Sequence, residues 1–251
     1  MKVQDQHQIN PETQSCQTSV SGCTGVVNKK VLNLFAGLGG NRLKWENVEV
    51  TAVEFEPKIA KVYQDNNPND TVIVGDAMDY LKKHRNEFDF IWASPPCQKH
   101  SKMMKATRHD VADFFDLQLW QVIIFLSHFY NGSWIVENVK PYYEPLIKPQ
   151  KELGRHLIWS NFDIDDFELP NIKNFITQGT TKETEKFKKW LGIKYEGNIY
   201  YKGNHCPGQV LRNCVHPDFG LHILNCFEKA KERGKIADDR KQNNNILNYR
   251  L

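Results

Sequence analysis

No run of 18 apolar residues occurs in this 251-residue chain, so no membrane-spanning helix is expected. The opening MKVQDQHQINPETQSCQTSVSGCTG has no apolar centre. No secretory signal is therefore expected there, and the cytoplasm is the expected location. Cysteine is sparse, six residues in all, which excludes a disulfide scaffold and fits a reducing compartment. No Cys-x2-Cys spacing exists. His205, Cys206, Cys214 and His216 crowd together late in the chain, but without the spacing of a zinc site, so no metal is expected. There is no internal repeat. What remains is an ordinary globular composition, long enough to bury a substantial core.

Charge is uneven. Residues 1–139 carry 14 Lys and Arg against 16 Asp and Glu, and residues 140–251 carry 19 against 14. A basic surplus in the second half permits an anionic partner without requiring one.

The first 28 residues are polar and aperiodic, and read as a flexible arm. Strand-like and helix-like patterns then alternate. KVLNLFA (30–36), EVTAVEF (49–55), TVIVGD (71–76), FDFIWAS (88–94) and GSWIVENV (132–139) read as strands. Segments 57–67, 77–87 and 111–130 read as helices, the first with Pro57 in its opening turn. Such alternation predicts an α/β fold with an open, mostly parallel sheet and helices on both faces. HLIWSNF (156–162) predicts a further strand, and 217–234 a helix with Leu221, Leu224 and Phe227 on one face. These patterns assign residues 29–162 and 206–236 to one catalytic domain, 163–205 to a small inserted lobe, and 237–251 to a polar tail.

Three strand ends carry candidate chemistry. NLFAGLGG places Phe35, Ala36, Gly37, Leu38, Gly39 and Gly40 in a turn where the backbone can approach a ligand closely. A dinucleotide fingerprint would need glycine at 42, where Arg42 stands, so NAD is disfavoured. Glu54 closes the second strand, where a carboxylate can accept both ribose hydroxyls. Phe55 can stack on adenine, and Asp76, with Ala77 behind it, can accept from the adenine amino group. This set fits a nucleoside cofactor that needs no phosphate cradle, and S-adenosylmethionine is one.

The second strand end is SPPCQ. Ligands in open α/β sheets bind outside the carboxyl ends of strands, which puts Pro95 and Cys97 beside the glycine turn. A thiol needs an electropositive setting to ionise near neutral pH. Lys99, His100, Lys102, Lys105, Arg108 and His109 follow directly and could also clamp phosphate. The third strand end is Glu137-Asn138-Val139, where partial desolvation would raise the Glu137 carboxyl and suit it to proton donation.

The order FAGLGG, SPPCQ, ENV resembles the cytosine-C5 DNA methyltransferase family. EFEPKIAKVYQDNNP is similar to the family's second block, GDA to its third, and QVLRNCVHPDFGLHI to its tenth, which normally reads Gly-Asn-Ser-Val. Here Asn213 and Val215 match, Cys214 replaces the serine and Arg212 the glycine. The eighth block, Gln-x-Arg-x-Arg, is reduced to ELGRHLIW, so only Arg155, or His156 beside it, can fill that role. The stretch of about 50 residues between these two blocks resembles compact enzymes of bacteriophages.

The resemblance implies a transferase acting on double-stranded DNA, monomeric, with S-adenosylmethionine as cofactor and no metal. It implies that Cys97 adds to C6 of a flipped-out cytosine and that Glu137, oriented by Asn138, holds N3. It implies that Arg155 contacts O2 and that Asn213 and Val215 line the cofactor site. Gln98, Lys99, Ser101 and Lys102 would contact DNA, and Lys182, Lys186, Lys188, Lys189 and Trp190 of the lobe would cross the other groove or form a solvated helix face. A tRNA cytosine methyltransferase, an inactive DNA-binding relative and an enzyme with another alkyl donor remain alternatives. A cognate restriction enzyme is left open.

Overall fold

A computed structural model describes residues 29–96, 117–170, 181–201 and 206–234. Its centre is a seven-stranded sheet of β1 (Lys29–Leu34), β2 (Val48–Glu54), β3 (Thr71–Val74), β4 (Phe90–Ala93), β5 (Ser133–Val139), β6 (Lys151–Leu153) and β7 (His156–Ser160), in the order β3-β2-β1-β4-β5-β7-β6. The first five strands are parallel, with register Leu34↔Val53 and Leu34↔Ala93 around β1. β7 runs antiparallel to both β5 and β6. The expected open, mostly parallel α/β sheet is therefore present, with an antiparallel edge.

That edge follows from chain length. Only Gly154 and Arg155 separate β6 from β7, too few for the crossover that parallel strands need, and Gly154 takes the left-handed conformation of a tight hairpin (φ 59°). β6 was not expected; three residues carry no usable alternation.

Six helices accompany the sheet among the described residues: α1 (Pro57–Asn66), α2 (Ala77–His84), α3 (Gln118–Phe129), α4 (Thr181–Leu191), α5 (Gln209–Arg212) and α6 (Pro217–Glu232). Pro57 does open α1. Asp76 caps α2 from outside β3, its Oδ1 accepting from the amides of Met78 and Asp79. The helix expected over 111–130 is described from Gln118, since 111–116 lie outside the described residues. The 1–28 arm and the 237–251 tail also lie outside them.

Alternation along the strands divides the core. Val31, Val50, Phe90, Trp92, Ile135 and Ile158 meet Phe219, Ile223, Leu224 and Phe227 of α6 on one face. Leu32, Leu34, Val53, Ile91 and Val136 meet Leu81 of α2 and Trp120, Ile123 and Leu126 of α3 on the other. The described part of the 163–205 segment joins this body. Phe187 and Leu191 of α4, with Ile193 and Ile199, share a buried cluster with Leu38, Ile59, Val210 and Leu211.

The order in which strands are added reverses at β1, since β2 and β3 lie on one side and β4 and β5 on the other. The carboxyl ends of β1 and β4 thus flank the crevice where ligands of such sheets bind.

Candidate active site

The glycine turn leaves β1 through Phe35, a non-glycine residue in the left-handed region (φ 54°). Such a residue costs about 1–2 kcal/mol in backbone strain. It is held by packing against the α2–α3 face of the core and by the Ala36 amide on the Val53 carbonyl, 3.0 Å. The glycines differ in purpose. A Cβ on Gly40 would lie 2.3 Å from the Val215 carbonyl oxygen, and one on Gly39 would lie 2.7 Å from the Tyr63 ring. Gly37 (φ 56°) would meet nothing within 4 Å, so its backbone faces open space. Gly39 and Gly40 permit packing, whereas Gly37 leaves a place for a ligand.

Arg42 has a structural task. It grips Asp70 with two bonds of 2.8 Å, and Asp70 also accepts from the Tyr63 hydroxyl at 2.9 Å. The buried amides of Asn33 and Asn41 bond each other beneath the turn.

Glu54 reaches the turn from β2. Its Oε2 accepts from the Gly37 amide and its Oε1 from the Glu56 amide, both at 2.9 Å. Burial pushes this carboxyl up, and the backbone amides only partly oppose it. Phe55 beside it is 75% exposed, as a stacking surface must be. Asp76 is exposed at the start of α2, with Ala77 buried behind it. The open backbone at Gly37, an acceptor pair at Glu54, an exposed ring at Phe55 and a carboxylate at Asp76 together suit an adenosyl group.

Asn213 and Val215 arrive from the far end of the chain. Asn213 ends α5, and Val215 lies against Gly40. Cys214 between them is buried, its Sγ 3.3 Å from the Val210 carbonyl, and burial pushes its thiol up to about 12. It is a packing residue. Among the described residues no cluster of His, Cys, Asp and Glu could hold a metal; His205 lies outside them.

On the other side of the crevice, the Ser94 amide bonds the Leu34 carbonyl at 3.2 Å, tying the end of β4 to β1. Ser94 Oγ donates to Glu137 Oε2 at 3.1 Å and accepts from Trp92 Nε1 at 2.8 Å. Glu137 Oε1 pairs with His156 Nδ1. Glu137 and His156 are each only 5% exposed. Burial, the largest influence on Glu137, raises its carboxyl. The charge and hydrogen bond of His156, with Arg155 and Ser94, outweigh it and hold the group below its ordinary value. The expectation of a raised Glu137 is therefore corrected, because desolvation was weighed without the partner on β7.

Asn138 is corrected too. It does not orient Glu137, because adjacent strand residues point to opposite faces. Its Nδ2 donates 2.9 Å to the Pro95 carbonyl, and its Oδ1 accepts from the Val139 amide. It fixes the turn that leads into Cys97. Arg155, in the β6–β7 turn, donates from Nη2 to the Arg212 carbonyl at 2.9 Å, joining the catalytic edge to the α5 segment. Trp92 was missed by sequence reasoning and no motif marks it; Ser94 opens the SPPCQ motif, but its bond to Glu137 was not foreseen. Cys97, Gln98, Lys99, His100, Ser101, Lys102, Lys105, Arg108 and His109 lie outside the described residues.

The lobe lysines separate. Lys188 is buried, donating to Glu185 (2.9 Å) and the Tyr195 carbonyl (2.7 Å) and lying 3.9 Å from the centre of the Tyr195 ring. Trp190 packs on His216 with ring centres 4.6 Å apart. The burial of Lys188 corrects its expected role; Trp190 is half-buried. Lys186 and Lys189 are exposed; the Lys182 side chain lies outside the described set.

The family model described as C-5 cytosine-specific DNA methylase matches residues 29–169, spanning the glycine turn, Glu137 and the β6–β7 edge. The chain belongs to the C-5 cytosine-specific DNA methylase family. No curated protein matches it. Similar solved structures include a SAM-dependent methyltransferase from Agrobacterium tumefaciens (18% identity, 46% of this chain and 40% of that one, TM-score 0.35). A putative DNA modification methyltransferase encoded within an E. coli prophage is similar at 22% identity, covering 46% of this chain and 33% of that one, TM-score 0.32. A DNMT2 mutant from Spodoptera frugiperda is similar at 26%, covering 45% and 36%, TM-score 0.33. The chain thus spans two fifths or less of each of these proteins' length.

Proposed function

We propose that this protein methylates C5 of cytosine in double-stranded DNA. One observation supports the reading above all: a buried carboxylate, Glu137, stands at the end of β5, fixed on both oxygens, across the β1–β4 crevice from the glycine turn. A carboxylate that can handle protons, two strands from a turn suited to an adenosyl group, fits methyl transfer to a heterocycle.

Phe35 to Gly40, Glu54, Phe55, Asp76, Ala77, Pro95, Asn213 and Val215 would hold S-adenosylmethionine. When bound there, it supplies an electrophilic methyl group. Cytosine C5 is too weak a nucleophile to take that methyl unaided. By family resemblance Cys97 adds to C6 and makes C5 reactive. Glu137 would meet N3, and Arg155 O2. C5 cannot be reached within a duplex, so the base must leave the stack. Gln98, Lys99, Ser101 and Lys102 would hold the strand, while Lys186 and Lys189 offer exposed charge to phosphate.

The test is nucleoside mass spectrometry after incubation with unmethylated DNA and S-adenosylmethionine, with a Cys97→Ala control. New 5-methylcytosine that disappears in the variant is expected. Product in tRNA but not in DNA overturns the substrate, and no product in either overturns the reaction.

A further inference from the structure

His156, which opens β7, is in direct contact with Glu137. On the antiparallel β5–β7 pair, Glu137 stands opposite Ile158 and Val139 opposite His156. His156 is thus the diagonal, same-face neighbour of Glu137. Nδ1 meets Oε1, and Ser94 occupies Oε2. The pair is shut in on its other sides. β4 presents Ser94, the β6–β7 turn presents Arg155, whose charge acts on Glu137, and α6 presents the Phe219 ring, 5.4 Å from the imidazole.

A guanidinium keeps its proton at every working pH, whereas an imidazole exchanges one near neutrality. Arginine beside Glu137 would fix it as a carboxylate. Histidine makes the proton shareable. We infer that His156 is a positioning residue that shares one proton with Glu137, and that this pair, rather than Glu137 alone, is the acid facing the pyrimidine N3.

The inference rests on the proposed C5 reaction and gives its proton a source. As the sulfur electron pair forms the bond to C6, the C5–C6 π pair moves toward N3, which takes the proton of the pair. C5 would then accept the methyl group that S-adenosylmethionine, held by the Phe35–Gly40 turn, would supply, its sulfonium sulfur keeping the bonding electrons. On elimination the C5 proton leaves to water, the C6–S electrons return to sulfur, and the N3 proton returns to the pair.

The test is the single-turnover rate of 5-methylcytosine formation on unmethylated duplex DNA, measured from about pH 5.5 to 9.5 for the native protein, His156→Arg and His156→Gln. The native rate should rise as the nucleophile ionises and then fall as the pair loses its proton. His156→Gln should be about 10- to 100-fold slower at the optimum and should lack the falling limb. His156→Arg should lack that limb as well. S-adenosylmethionine affinity within about twofold of native would show that both variants keep the fold. Native rates and a retained falling limb in His156→Gln overturn the inference.

If the native protein makes no 5-methylcytosine, the underlying reading fails instead, and the pair is still testable. A far-downfield proton on His156 Nδ1 that vanishes in Glu137→Gln supports proton sharing, and its absence from the native protein overturns it.

Discussion

Two carboxylates, one half-buried and one buried, face the same crevice and are held by opposite means. Glu54, on the β2 side, accepts only backbone amides, and burial raises it. Glu137, on the β5 side, is more deeply buried yet is lowered, because His156 and Arg155 bring positive charge to it. A group that receives neutral hydroxyls needs orientation and tolerates weak ionisation. A group that handles protons needs a partner to exchange them with. The half proposed to hold the cofactor is thus built from backbone geometry, and the half proposed for catalysis from side-chain charge.

The sharpest way to separate the halves is to neutralise each carboxylate. Glu137→Gln should slow methyl transfer by about 10²- to 10⁴-fold while S-adenosylmethionine affinity stays within about threefold. Glu54→Gln should do the reverse, weakening cofactor binding by about tenfold or more through lost charge-assisted hydrogen bonds. Rapid-quench kinetics and calorimetry read the two effects. Equal losses in both quantities for both variants would erase the distinction.

A second contrast lies within the glycine turn. Gly40→Ala drives a methyl into the Val215 carbonyl and should cost about 1–3 kcal/mol of stability, seen as a lowered midpoint in urea. Gly37→Ala meets no atom and should cost only the left-handed strain of about 1–2 kcal/mol, but it should impair cofactor binding disproportionately.

Acid titration should split the carboxylates by sign. Glu137, held below its ordinary 4.5, contributes stability that is present above that pH and lost as pH falls through its lowered value. Glu54, raised above 4.5, contributes stability present below that pH and lost as pH rises through its raised value. Carbon-13 NMR of the two carboxyls should show Glu137 titrating first on the acid side and Glu54 last.

The smallest expected effect concerns the lobe. Each of Lys186→Ala and Lys189→Ala should reduce the salt dependence of DNA binding by about 0.9 in log–log slope if its lysine meets phosphate. Lys188→Met should leave that slope unchanged and lower thermal stability, because this ammonium is buried against Tyr195.

The cofactor half was legible because backbone demands mark the sequence. The glycines, Glu54 and the strand ends are read from their spacing, and short apolar runs located six of the seven strands. β6 was hidden because three residues display no period. α4 was legible only as a possible solvated face, because its lysine-rich run, KETEKFKKW, masks the buried stripe of Phe187 and Leu191. The catalytic half was legible only in part. Glu137 and Asn138 stand out as a motif, but which residues they pair with does not. Ser94, His156 and the Pro95 carbonyl are brought to them by a strand pairing and a hairpin that no local pattern announces. The direction of the Glu137 shift failed for the same reason, since its cause sits 19 residues away across the sheet.

The most direct test of the central claim uses duplex DNA in which the target cytosine carries fluorine at C5. Fluorine cannot leave as the C5 proton does, so methyl transfer should strand the enzyme on C6. With S-adenosylmethionine present, a denaturant-resistant protein–DNA complex should form and should be absent with Cys97→Ala. DNA methylated at C5 by a protein that never forms this complex would contradict the covalent account.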